Sequence, residues 1–536
     1  MFKTPWEFCR ANRHYDVLLC AGDGPLDGSA KLVVFYSSKK TTFDGDRNIA
    51  VVRPPSHTCI LSYRGGRLPI YGDTITFSKN GNSLLTDEVS QECAGHLHTA
   101  NDTTEARIGY DLFREIRTLL TVGQPPANAS LPALELHIAF LRGLITDCGV
   151  QLVEIPPVPA GYRFVACLTH DVDHPSIRRH KLDHTTFGFL YRAVFGSLQN
   201  FVRGRLRAKD LFTNWWAALK LPLVHMGLAR DFWLEFDDRY LKMEAGLRST
   251  FFVIPFRNQP GRKFNGSAPK LRAARYGARD IADNIGKLTT AGCEVGLHGI
   301  DAWIDSSRGR NELDEIRRVT RGPEIGVRMH WLYCDQQSPA VLETAGAAYD
   351  STIGYNETVG YRAGTTQAYK PLNADQLLEM PLHIMDTALF YPTYLNLTAQ
   401  QATARLGEML DNAAYFGGAV TVNWHDRSLA PERLWKDCYR DLLQDLQGRG
   451  AWFSTVGEAV SWFRKRRSAS FEVDSTEPDG VRVKFSAPHG HDLPGLRLRI
   501  HKARNLDVTD VKSAEEYLDV AVDEIVETGI SAGARR

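Results

Sequence analysis

Phe164-Val165-Ala166-Cys167-Leu168-Thr169-His170-Asp171-Val172-Asp173 opens on five apolar residues and closes on two carboxylates two positions apart. A run this short is too brief for a core helix and reads as a strand buried on both faces. Side chains alternate along a strand, so Asp171 and Asp173 point the same way at its C-terminal end. One carboxylate can hold a divalent cation while the other stays free as a general base, and the cation offsets their mutual repulsion. Asp at a strand end is also a common helix cap, so the pair gains meaning only in company.

The company is present. Apolar runs recur at Ser249-Thr250-Phe251-Phe252-Val253-Ile254, Cys293-Glu294-Val295-Gly296-Leu297, Gly326-Val327-Arg328-Met329 and Ala419-Val420-Thr421-Val422-Asn423-Trp424. Helical patterns over 280–291, 312–318 and 339–345 separate them. Strands alternating with helices predict an α/β fold around a parallel sheet or barrel, in which reactive residues gather at the C-terminal strand ends. Polar residues stand there: His298 before Gly299, Arg328 and His330, and His425 before Asp426. Arg328 and His330 share a face if their strand persists. A single His at a strand end is as readily bonded to a backbone carbonyl as to a metal. Four such clusters in one module point together to a site.

The order of these segments resembles the polysaccharide deacetylase family, whose catalytic module is called the NodB homology domain. Thr169-His170-Asp171-Val172-Asp173 is similar to its first motif, Ser249–Val253 to its next strand, Glu294–His298 to its second motif, and Trp452–Glu458 to its closing strand and helix. The resemblance covers about 160–465. It implies a deformed (β/α) barrel that removes acetyl groups from a carbohydrate with a bound divalent cation, Zn2+ above all. It further implies Asp171 as general base, Asp173 and His298 as metal ligands, Arg328 as partner of the base and His425 as general acid. The chain departs from the family at three places. Ala302 replaces a second His, Arg328-Met329-His330-Trp331 replaces Arg-x-Pro-Tyr, and Asn423 stands where the family has Leu. His330 is therefore the candidate third ligand, with His170 and His174 as alternatives. Trp331, Trp424 and Arg362 are the candidate substrate contacts. A hydrolase of another C–N bond on the same fold, and a non-catalytic carbohydrate-binding protein that kept the fold and lost the metal, are the rival readings.

Around this module the chain divides further. Residues 1–158 read as an α+β module without a comparable polar cluster, hence non-catalytic; it ends in the Pro-rich linker Ile155-Pro156-Pro157-Val158-Pro159. About 180–240 reads as a helical insertion, its aromatic stripe expected as core, with an acceptor or lipid contact the lesser alternative. Residues 470–536 read as a small β-rich element that frays from Glu527 on. With 43% apolar and 24% charged residues and a net charge of +1, the 536-residue chain offers no basic field for nucleic acid. It has no apolar run near the ~20 residues a membrane span needs. The first residues lack a signal-peptide pattern, and nine cysteines without a CxxC pair suit reduced thiols. The expected location is cytoplasmic, with peripheral membrane association left open. The expected partner is a carbohydrate, and oligomeric state is not readable.

Overall fold

The computed structural model describes every residue except 23–27, 79–81, 101–102, 475–479, 487–492, 505–516, 523–526 and 532–536. Its contacts form two units, one of residues 162–361 and 366–462, the other of residues 1–161, 362–365 and 463–536.

The first of these is built on seven strands: β1 (Phe164–Val172), β2 (Ser249–Val253), β3 (Glu294–Gly299), β4 (Val327–Met329), β5 (Ile384–Met385), β6 (Ala419–Asn423) and β7 (Ala451–Phe453). All pair in parallel, in the order β4-β3-β2-β1-β6-β5, with β7 also on β1. Both β6 and β7 pair with Val165 and Ala166, so they occupy opposite edges of β1. Beyond β4 the sheet is extended by the single-residue bridges Val327–Asp350 and Asp350–Glu379. The fold is thus α/β with a parallel sheet, as the alternating pattern predicts.

All nine residues of β1 are buried. Its even-numbered side chains Ala166, Leu168 and Val172 join the hydrophobic core. That core also takes the apolar sides of the flanking helices, such as Leu313 and Ile316 of Ser306–Thr320. Asp305 caps this helix by accepting from the amides of Ser307 and Arg308, which fixes where the chain leaves β3 and turns back. The odd face of β1, with Thr169 and Asp171, looks the other way.

The insertion is helical at His184–Tyr191, Ser197–Val202 and Ala208–His225. Its aromatic residues correct the expectation of a core stripe. Only a small cluster around Phe189, Leu221, Val224 and Trp233 is buried, whereas Phe187, Phe195, Phe212, Trp216 and Leu219 are each more than half exposed. Short helices bury one side against that cluster, and their other sides have nothing to pack on.

In the other unit, a seven-stranded mixed sheet carries its core against helices Leu112–Thr121 and Ala133–Asp147. Leu496–His501 pairs with Leu152–Glu154, and the region groups with the N-terminal part of the chain. At the expected frayed end, Glu527–Ser531 is a strand paired with Gly480–Ser486, and 532–536 lie outside the described residues. None of the nine cysteines forms a disulfide; Cys167 and Cys293 are buried and Cys20 is half-buried. Among the described residues, no helix is long and apolar enough to cross a membrane.

Candidate active site

The C-terminal ends of β1, β3, β4, β5 and β6 surround a cavity of about 430 Å³, and Asp171, Asp173, His298, His330 and His425 line it. Asp173, His298 and His330 each offer a donor atom, all within 4.8 Å of one another. Asp173 Oδ1 lies 3.3 Å from His298 Nε2 and 3.6 Å from His330 Nε2. The expected convergence of these three residues is therefore what the geometry contains, although not by the expected route. β4 stops at Met329, and His330 begins a tight turn in which Trp331 and Leu332 take left-handed φ values of 64° and 55°. Such backbone costs about 1–3 kcal/mol per residue for side chains other than glycine and persists only where its surroundings enforce it. Buried Arg272 enforces it here. Its guanidinium donates to the carbonyls of Ile300 and His330, tying the exits of β3 and β4 together.

The tautomer of His298 follows from its neighbours. Nδ1 faces the carbonyl of Arg328 at 3.0 Å, and a carbonyl only accepts, so Nδ1 carries the proton. In the neutral ring, Nε2 then presents a lone pair toward Asp173. Burial holds the His330 imidazole well below its usual range, against the pull of Asp173 and with His298 and Arg272 adding. Burial pushes the Asp173 carboxyl up, but His330, His298 and His425 outweigh it and hold it well below the carboxylate range. Its Oδ1 is buried without a hydrogen-bond donor. One carboxylate and two imidazoles whose donor atoms face one another at this spacing suit a divalent cation between them.

Asp171 has different company. Arg328 Nη1 donates to Oδ1 at 3.0 Å and Asn423 Nδ2 donates to Oδ2 at 2.7 Å. Asn423 also accepts from the amide of Asp171 at 3.1 Å, so its side chain grips this residue at two points. The Arg328 guanidinium is fully buried. It spends its remaining donors on Thr169 Oγ1, Ser351 O and Ser351 Oγ, and stacks 4.5 Å above Phe252. Asn423, noticed in the sequence only as a departure, is thus a positioning residue. Asn423→Leu leaves Asp171 Oδ2 without its donor. The variant is expected to lose about 1–3 kcal/mol of stability and most turnover while keeping its metal content, which thermal unfolding and elemental analysis will check together.

His425 sits opposite. Its Nδ1 is 2.6 Å from Asp386 Oδ1, its amide donates to Asp386 Oδ2 at 2.8 Å, and Nε2 lies 3.8 Å from Asp173 Oδ2. Burial lowers the imidazole's pKa, but Asp386 outweighs it, with Asp173 and Asp171 adding, and raises it to about 10. His425 is therefore protonated at neutral pH, with Nε2–H free to donate. A folded value above the usual 6.5 stabilises the fold fully below about 6.5, and this contribution is lost as pH rises through about 10. Asp386, at the exit of the two-residue β5, was not among the candidates read from the sequence. Asp386→Asn is expected to slow any turnover roughly 10²- to 10⁴-fold and to move the alkaline edge of the pH profile downward. An unshifted edge would remove His425 as the acid.

Other candidates fall elsewhere. His170 points to the even face of β1, where Nδ1 meets the carbonyl of Trp424 at 2.8 Å, Nε2 lies 2.9 Å from Glu244, and Tyr240 stacks at 3.9 Å. His174 lines the cavity, with Nδ1 3.2 Å from His180 Nε2, and is not in the three-residue cluster. Trp331 lines the cavity. Trp424 does not: it is 0% exposed and packs on Tyr439 at 5.0 Å, because period two sends it to the face opposite Asn423 and His425. Arg362 belongs to the other unit, where its carbonyl accepts from the amide of Gln124. Ala302 is fully buried.

No family model matches the sequence, and no curated protein matches it. Solved structures do resemble it. A Mycobacterium smegmatis protein described as a polysaccharide deacetylase is 18% identical, with 59% of this chain and 96% of that one covered at a TM-score of 0.37. The catalytic domain of peptidoglycan N-acetylglucosamine deacetylase from Eubacterium rectale is 12% identical, with coverage of 56% and 91% and a TM-score of 0.26. A branching enzyme from Thermococcus kodakaraensis is also 12% identical, with coverage of 56% and 71% and a TM-score of 0.28.

Proposed function

We propose that this protein is a metal-dependent hydrolase that removes acetyl groups from a carbohydrate. The observation that carries the reading is the division of labour within one cavity. Asp173, His298 and His330 converge, while Asp171 and an Asp386-backed His425 stand beside them without belonging to the cluster. Asp173, His298 and His330 would hold the cation. When bound, a divalent cation such as zinc polarises an acyl carbonyl and a water molecule. Asp171 Oδ2 takes the proton of the attacking water, with Arg328 and Asn423 holding the carboxylate in place. His425 Nε2–H gives its proton to the departing amine or alkoxide, and Asp386 keeps the ring oriented and charged for that step. Trp331, fixed in its left-handed turn, offers an indole to the face of a sugar ring. The polar cavity residues fit a hydrolase of acetylated saccharides better than a binder, since two proton-transfer groups flanking a metal cluster are superfluous for binding.

The test is acetate release from acetylated saccharides and nucleotide sugars by protein stripped with chelator and reloaded with zinc, cobalt or nickel. Reloading is expected to restore both acetate release and thermal stability. Protein that binds no metal and turns over no acetylated sugar would overturn the reading.

A further inference from the structure

Among the described residues, the insertion exposes more large apolar side chains than any other stretch of its length. Residues 187–228 contain thirteen of the thirty large apolar side chains exposed among the described residues. Within helix Ala208–His225, Leu211, Ala217, Leu221 and Val224 turn inward. Phe212, Trp216, Leu219 and Leu223 recur at helical spacing on the outward side and are 43–69% exposed. A second stripe, Phe187, Tyr191 and Phe195, is 57–66% exposed on the preceding helical run. Exposed apolar side chains clustered in this way mark interaction surfaces rather than ordinary monomer surface.

Charge says what covers it. Between 187 and 228 the chain has six Lys and Arg against one acidic residue, Asp210, although the whole protein is nearly neutral at +1. Asp210 is itself engaged by Arg207. Arg203 and Arg205 are exposed, and the Lys220 ammonium lies 4.8 Å from the ring of Trp216. Arg192 pairs with Glu432, and Arg207 with Asp210 and Asp437, which leaves Arg203, Arg205, Lys209 and Lys220; a second copy of this chain docking through the same face would set these four cations against four, since a two-fold interface pairs a patch with itself. Aromatic stripes bordered by unpaired cations complement an anionic bilayer instead. The apolar side chains enter the headgroup–acyl boundary, and the cations meet lipid phosphates.

We propose that residues 187–228 form a membrane-docking surface for anionic lipid. Arg192 of the same helical run lines the active-site cavity, as do His184 and Thr185 just before it, so docking holds that cavity at the lipid surface.

Flotation of the full-length protein with vesicles tests this. The protein should float with phosphatidylcholine vesicles containing phosphatidylglycerol, much less with phosphatidylcholine alone, and less again at high salt, while tryptophan emission shifts to the blue. The combined variant Phe212→Ser/Trp216→Ser/Leu219→Ser should bind at least about tenfold less, with thermal unfolding and metal content unchanged. Arg203→Ser/Arg205→Ser changes only exposed side chains and should lose the preference for anionic lipid, which carries the test should the serine variant fail to fold. Wild-type protein that ignores both kinds of vesicle overturns the proposal. So does equal flotation of a well-folded triple variant, or a wild-type dimer in solution that the triple variant converts to monomer without any lipid binding.

Discussion

Asp171→Asn is expected to take up zinc as the parent does and to release acetate roughly 10²- to 10⁴-fold more slowly. The amide matches the carboxylate in shape, so the contacts from Arg328 and Asn423 change little in geometry. What disappears is the basicity of Oδ2. Asp173→Asn has the opposite signature. It removes one of the three converging donors, and metal affinity is expected to fall at least about 10- to 100-fold, with turnover following it. Zinc titration by calorimetry alongside initial rates separates the two variants. Equal metal affinity in both would show that the roles of the two carboxylates are wrongly divided.

The largest effect on stability is expected at Arg328. Its guanidinium and the Asp171 carboxylate are 0% and 4% exposed, so deleting one partner leaves the other buried and uncompensated. Arg328→Leu should cost about 3–5 kcal/mol. Arg328→Lys should recover only part of this, since an ammonium cannot reproduce the fork that reaches Asp171, Thr169 and Ser351 at once. Urea midpoints for the three proteins check the order. A leucine variant as stable as the parent would mean that the pair contributes nothing net.

The parts of the site that strand periodicity controls were legible in the sequence. β1, β3 and β6 are apolar runs of ordinary length, and alternation alone sends Asp171, His298 and His425 to one side. The same rule, applied one residue further, excludes His170 and Trp424, whose even-face positions put them among the helices. Asp386 escaped because β5 spans two residues and follows an irregular segment tied in by single bridges. No window there holds enough residues to show a period. Arg272 escaped because it acts from a loop on carbonyl groups, which leave no trace in side-chain patterns. His330 was found for an incomplete reason: a turn delivers it, not a continuing strand. The insertion shows the limit of composition, since an apolar stripe looks alike whether another chain segment covers it or not. The pairing of Leu496–His501 with Leu152–Glu154 spans more than 300 positions, and alternation marks each strand without naming its partner.

Arg328 also separates two histories that a sequence comparison would merge. Its carbonyl orients His298, and its side chain orients Asp171. Every residue has a carbonyl, so any substitution that keeps β4 in register leaves the metal ligand's tautomer intact. Only arginine supplies the fork to the base. On the proposed reading, a descendant that lost this arginine and regained stability elsewhere would keep the Asp173, His298 and His330 donors together while Asp171 lost its charged partner.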